Sequence, residues 1–180
     1  VEAFAEGIDV YKKMASAIYG KAEDQITKDE RFIGKTTILG SGYGMGALKF
    51  QIQLKTMGVD IPLDEARRII DIYRRTNNKV VDLWREAQQA IVCLSRREIA
   101  LLGRPGIVEL IPEKSAIRMP SELLIRYDDL RASETEKGFE YDYKTRKGRT
   151  RIYGGKVVEN CCQSIACLLY TSPSPRDQRG

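Results

Sequence analysis

Arg31, Lys35, Leu39 and Tyr43 recur at every fourth position of this 180-residue chain, and their types could do chemistry. In a helix, residues four apart share a face, so this spacing sets two cations, an apolar side chain and an aromatic ring along one slowly drifting stripe. Such a stripe makes a poor core. Two fixed positive charges one turn apart suit an anionic oligophosphate, and a ring two turns further on suits stacking beneath a base. Eight residues of helix from Lys35 to Tyr43 advance about 12 Å at ~1.5 Å per residue, comparable with the reach from triphosphate to base in a nucleotide. Taken alone, an Arg/Lys pair in the first turns of a helix is most often a solvated face.

The elements that must hold this stripe can be read around it. Thr27 caps the first free N–H groups and Glu30, three residues on, closes a capping box, so a helix is predicted from near Lys28. Two phosphate motifs overlap that helix. Gly34-Lys35-Thr36 suggests a phosphate loop, but the Walker pattern needs glycine at position 29, which is Asp29. Gly42-Tyr43-Gly44-Met45-Gly46-Ala47 fits a weak dinucleotide fingerprint, which requires a strand before Gly42 where the capped helix is predicted.

Composition narrows the classes. With 42% hydrophobic residues the chain can bury one sizeable core, and a net charge of +5 with a pI near 9.0 is compatible with nucleic acid. No histidine is present, which removes the commonest general base and the ordinary hydrolase triads. Cysteines 93, 161, 162 and 167 make no C-x-x-C spacing and read as free thiols, with no metal site within the chain. No apolar run reaches the ~18 residues of a membrane span, and no signal peptide is recognisable, so a cytoplasmic setting without membrane contact is expected. The chain opens at Val1 as if an element were already under way, and reads as a fragment.

Asp9 is predicted to cap a helix from Val10 to Tyr19, with Val10, Met14, Ala17 and Ile18 on one face and Gly20 as its stop. Further helices are expected over Ala47 to Met57, Leu63 to Arg75 and, after Asn77-Asn78, to about Arg97, with Trp84 in their core. From Gly103 the sequence becomes strand-like, over 107–110, 116–119, 123–127, 139–143 and 149–153. Lys144, Arg146, Lys147, Arg149 and Arg151 cluster beside Tyr141, Tyr143 and Tyr153, a mixture suited to a nucleic-acid backbone or to a solvated hairpin.

Arg31-x3-Lys35-x7-Tyr43-Gly44, with its capped start and Gly44-Met45-Gly46 exit, resembles the nucleotide-binding helix of family A DNA polymerases, in the form found in tailed bacteriophages. Tyr153-Gly-Gly-Lys-Val-Val-Glu159-Asn160-Cys-Cys-Gln163 is similar to a second motif of the same enzymes. The resemblance covers residues 1–166. It implies an α+β architecture: helical fingers over 1–97, a small antiparallel β region with a terminal helix as partial palm over 98–166, together part of a right-hand polymerase fold. By position, Arg31 and Lys35 would contact the triphosphate of an incoming dNTP, Tyr43 and Gly44 would lie against the templating base pair, and Tyr11 would stand in for a phosphate-contacting histidine. Leu39 replaces the usual aromatic residue against the sugar. Gln163 would touch the primer–template minor groove. Independently of the resemblance, Arg149 and Arg151 of the basic cluster are expected on the DNA backbone. Glu122 stands in a Pro-Ser-Gly segment at the place of the glycine. The implied partners are dNTPs and a DNA primer–template, bound by a monomer. Mg²⁺ would serve the complete enzyme, held by aspartates in motifs upstream of Val1 and downstream of Gln163, so residues 1–180 alone are expected to be inactive. Cys167 onward departs from the pattern and resembles the translation of a sequencing adaptor, expected to be a disordered tail over 167–180. A non-catalytic nucleic-acid-binding module is the alternative.

Overall fold

The computed structural model describes residues 6–136 and 138–171. The chain divides into two compact units, Val1–Val81 and Asp82–Gly180.

The first unit is helical. Helix α1 (Val10–Tyr19) is capped by Asp9 and stopped by Gly20 in the left-handed conformation, and α2 (Lys28–Ser41) opens on the Thr27/Glu30 capping box. Two more helices, α3 (Ala47–Thr56) and α4 (Leu63–Thr76), follow, and α4 touches both α1 and α2. The buried face of α1 is Met14, Ala15 and Ile18, so Ala17, assigned to that face from its spacing, instead stands exposed. The reason lies across the interface. A β-carbon on Gly34 would fall 2.3 Å from the Tyr11 carbonyl oxygen and 2.9 Å from the Ala15 amide nitrogen, so α1 and α2 meet backbone to backbone at Ala15. Phe50, Leu54, Ile69 and Ile70 complete the interior, each contributing about 1.5–3 kcal/mol by leaving water.

Helix α5 (Asn78–Arg96) runs across the division of the chain, which falls between Val81 and Asp82, ahead of the boundary after residue 97 that the resemblance implies. From Ala87 on, its buried residues belong to the core of the second unit, with Leu110, Ile117, Met119, Tyr127, Tyr141, Ile152 and Val157. Trp84, expected in a core shared by the helices, is half-buried and packs instead on the edge of this second core. Two antiparallel sheets supply the rest: β1 (Glu109–Ile111), β2 (Ala116–Arg118) and β3 (Leu124–Arg126) in one, β4 (Arg131–Thr135), β5 (Gly138–Thr145) and β6 (Gly148–Ile152) in the other. Strand β4 has no counterpart in the sequence reading. Its Arg-Ala-Ser-Glu-Thr run is exposed over the first four positions and, among the described residues, pairs only with β5, so no apolar alternation marks it.

Helix α6 (Gly154–Thr171) closes the unit, its backbone laid against α5: a β-carbon on Gly154 would sit 2.0 Å from the Trp84 carbonyl oxygen. The helix continues past residue 166, so 167–171, expected to be disordered, are helical; residues 172–180 lie outside the described residues. Helices and antiparallel strands together make the α+β class.

The turn before β3 shows why glycine suits its centre. Glu122 has φ +63°, with its N–H donating to the Met119 carbonyl at 2.9 Å. L-residues other than glycine lose roughly 1–2 kcal/mol in that region. Glu122→Gly is therefore expected to raise stability by up to about 1 kcal/mol after the added freedom of the unfolded chain is subtracted, read as a higher urea midpoint with unchanged slope.

Candidate functional site

Helix α2 carries Arg31, Lys35 and Leu39 on successive turns. The helix ends at Ser41 with Gly42 as its cap, so Tyr43 lies in the following turn, one residue past the cap and off the helical stripe in which its spacing placed it. Gly44, with φ +82°, ends that turn, its N–H donating to the Ser41 carbonyl at 3.1 Å. Residues 38–41 are helical, so the strand that a dinucleotide fingerprint needs before Gly42 is absent. Gly34 serves packing, as described above.

Arg31 is the most constrained of these groups. Its Nε donates to Asp9 Oδ2 at 2.7 Å, and its Cζ stands 5.3 Å from the centre of the Tyr11 ring. The hydrogen bond from Arg31 holds the Asp9 carboxyl below the usual range, with the backbone amides of Lys12 and Tyr11 adding to it against a desolvation penalty. Lys35 and Leu39 are exposed, and Lys35 has no ion-pair partner among the described residues. Tyr43 is partly exposed and adds to the rise in the Tyr73 pKa that burial chiefly causes. The structure thus brings Arg31 and Tyr11 together and leaves Lys35 on the open side of the same helix.

Comparison with known proteins fits this helix. The sequence matches the profile of DNA polymerase family A over residues 1–119. The chain belongs to DNA polymerase family A. It is similar to a DNA polymerase of Bacillus phage SP02, 26% identical over 185 aligned positions that cover 95% of this chain and 28% of the phage protein. It is also similar to the DNA polymerase I of Aquifex aeolicus (strain VF5), 33% identical over 48% of this chain and 15% of that protein. A third relative, DNA polymerase I of Synechocystis, is 37% identical over 46% of this chain and 8% of its own length. The chain therefore spans little more than a quarter of the phage polymerase and less of the others.

In the second unit of this family A chain, Gln163 is exposed on α6, its Nε2 donating to Glu159 Oε1 at 3.2 Å. Val157 and Val158 turn the opposite way into the core, and Asn160 Nδ2 donates to the Tyr127 hydroxyl at 3.3 Å. Burial pushes the Tyr127 phenol well above its usual range. The Cys161 thiol is pushed up to about 11, also by burial, and is a poor nucleophile.

The basic cluster is sorted by ion pairing. Arg149 Nη1 meets Asp129 Oδ2 at 2.8 Å and its Nε meets Asp142, while Arg151 pairs with Glu140. Arg131 and then Arg149 hold the Asp129 carboxyl below its usual range. Lys144, Arg146 and Lys147, around the two-residue loop joining β5 to β6, are exposed with no ion pair among the described residues. Sequence reasoning treated the five cations alike, because the partners Asp129, Glu140 and Asp142 are 7 to 20 residues from the arginines they neutralise.

Among the described residues no group of three or more carboxylates or thiols gathers as candidate metal ligands. No described helix is long and apolar enough to cross a membrane.

Proposed function

We propose that this chain supplies the nucleotide-gripping and part of the DNA-contacting surface of a DNA-directed DNA polymerase. The observation that carries the reading is helix α2. A capping box fixes its start, Arg31 is held one turn before an unpaired, exposed Lys35, and the family match spans it. A triphosphate would take charge-assisted hydrogen bonds from both cations, with Tyr11 beside the phosphates, Leu39 towards the sugar and Tyr43 and Gly44 against the base pair. In this reading residues 1–97 are fingers and 98–166 part of a palm in a right-hand fold, acting as a monomer in the cytoplasm of a phage host. Gln163 would meet the minor groove of the primer–template. Arg149 and Arg151 would have to exchange carboxylates for phosphates, whereas Lys144, Arg146 and Lys147 could meet DNA at once. Nucleotidyl transfer would require Mg²⁺ held by carboxylates that the resemblance assigns to motifs other than the two matched here, so the chain alone is expected to bind without extending a primer.

The test is calorimetric titration of the 180-residue chain with dATP, beside a Mg²⁺-dependent primer-extension assay. The chain should bind dATP and leave the primer unextended. Lys35→Ala should weaken binding about tenfold or more, since a charge-assisted phosphate contact contributes roughly 1.5–3 kcal/mol. Equal affinity in the variant, or no binding by the wild-type chain, removes the reading; primer extension by the chain removes the assignment of its metal ligands elsewhere.

A further inference from the structure

Asp9 is a helix cap with a second task. Its Oδ1 accepts the Tyr11 and Lys12 amides at 3.0 and 3.1 Å, which anchors the carboxylate to the first turn of α1. Its Oδ2 accepts from Arg31 Nε, across 22 residues of chain. Among the described residues, neither Nη group of Arg31 has an acceptor. The guanidinium is thus gripped at its inner nitrogen and flanked by the Tyr11 ring, with the outer fork open.

We propose that Asp9 is a positioning residue for nucleotide capture, holding Arg31 by Nε so that both Nη groups are presented to the phosphates. The inference rests on the reading of Arg31 and Lys35 as the triphosphate grip. Arginine has a long, rotamer-rich side chain, and ordering it before the ligand arrives removes that cost from binding. The expected sign is opposite to that of simple electrostatics. A carboxylate beside the fork lowers the local positive potential, so an Asp9 that merely competed for Arg31 would weaken phosphate binding, and its neutralisation would tighten it. A positioning Asp9 gives the opposite result.

Asp9→Asn separates the two. Asparagine caps helices as well as aspartate does, so the Oδ1 bonds to Tyr11 and Lys12 can persist, whereas its amide Nδ2 cannot accept from Arg31 Nε. Titration of the 180-residue chain with dATP should show affinity reduced about fivefold or more in Asp9→Asn. In an Arg31→Lys background, which lacks the Nε handle, the same substitution should change affinity less than about twofold. In the wild-type chain the Arg31 Nε–H resonance, protected from solvent exchange before ligand is added, should stay protected at saturating dATP. Equal or tighter binding by Asp9→Asn, an equal loss in the Arg31→Lys background, or loss of that protection on binding overturns the proposal. If dATP does not bind the wild-type chain, or binds Lys35→Ala equally well, the triphosphate reading itself fails and the positioning role falls with it. Normal Lys35 dependence with an unweakened Asp9→Asn leaves that reading intact and removes only the role of Asp9.

Discussion

Replacing Gly34 by alanine is expected to cost the first unit about 3 kcal/mol, at the upper end of ordinary overpacking. The added methyl would stand 2.3 Å from the Tyr11 carbonyl oxygen and 2.9 Å from the Ala15 amide nitrogen. Both are main-chain atoms of a helix, and no side chain can rotate away to make room. Either α1 and α2 separate, uncovering Met14, Ile18 and Ile33, or the backbone of α1 distorts and its hydrogen bonds lengthen. At roughly 4–8 °C per kcal/mol for a unit of this size, the helical signal in circular dichroism should melt more than about 10 °C earlier. Gly42 supplies the control. It sits in the right-handed helical region at φ −55° with its nearest neighbour at 3.4 Å, so Gly42→Ala should be neutral or stabilise by up to about 1 kcal/mol. Equal melting of the two variants would refute the close approach of α1 to α2.

A comparable loss is expected in the second unit from Gly154→Ala. Here the β-carbon would fall 2.0 Å from the Trp84 carbonyl oxygen and 2.8 Å from the Gln88 amide nitrogen, again backbone atoms. The substitution would also dislodge the cap at the start of α6, where the Gly154 N–H donates to Gln88 Oε1 at 2.9 Å. Val157 and Val158, one turn on, would be lifted from the core, and the combined cost is about 3 kcal/mol or more. Trp84 is the single tryptophan of the chain and stands at the contact, so its fluorescence reports the event directly. The emission of Gly154→Ala should be red-shifted under native conditions, or its urea midpoint markedly lowered; an unchanged midpoint would mean that α5 and α6 do not touch here.

These two glycines show where sequence reasoning stops. In the linear text Gly34 belongs to a phosphate-loop look-alike and Gly154 to a polymerase motif, and neither context says that a helix backbone presses on it. The polar contacts divide in the same way. The bonds of Thr27 with Glu30 and of Asp9 with Tyr11 and Lys12 span three residues or fewer, and the sequence displayed them. The bonds of Arg31 to Asp9 and of Arg149 to Asp129 span 22 and 20, and it did not.

What the chain's letters determined on their own is local. Helix starts, glycine stops and the fourfold spacing of Arg31, Lys35 and Leu39 follow from rules that act within one or two turns, and the family was legible as a resemblance carried by short contiguous motifs. Tertiary structure alone decided which charges remain available. It tied Arg31 to Asp9, neutralised Arg149 and Arg151, left Lys35 and the Lys144–Lys147 loop open, and ended α2 before Tyr43. The physical reason is that a charge is cancelled, and a backbone approached, by whatever packing brings within a few ångströms, and chain separation does not encode that distance.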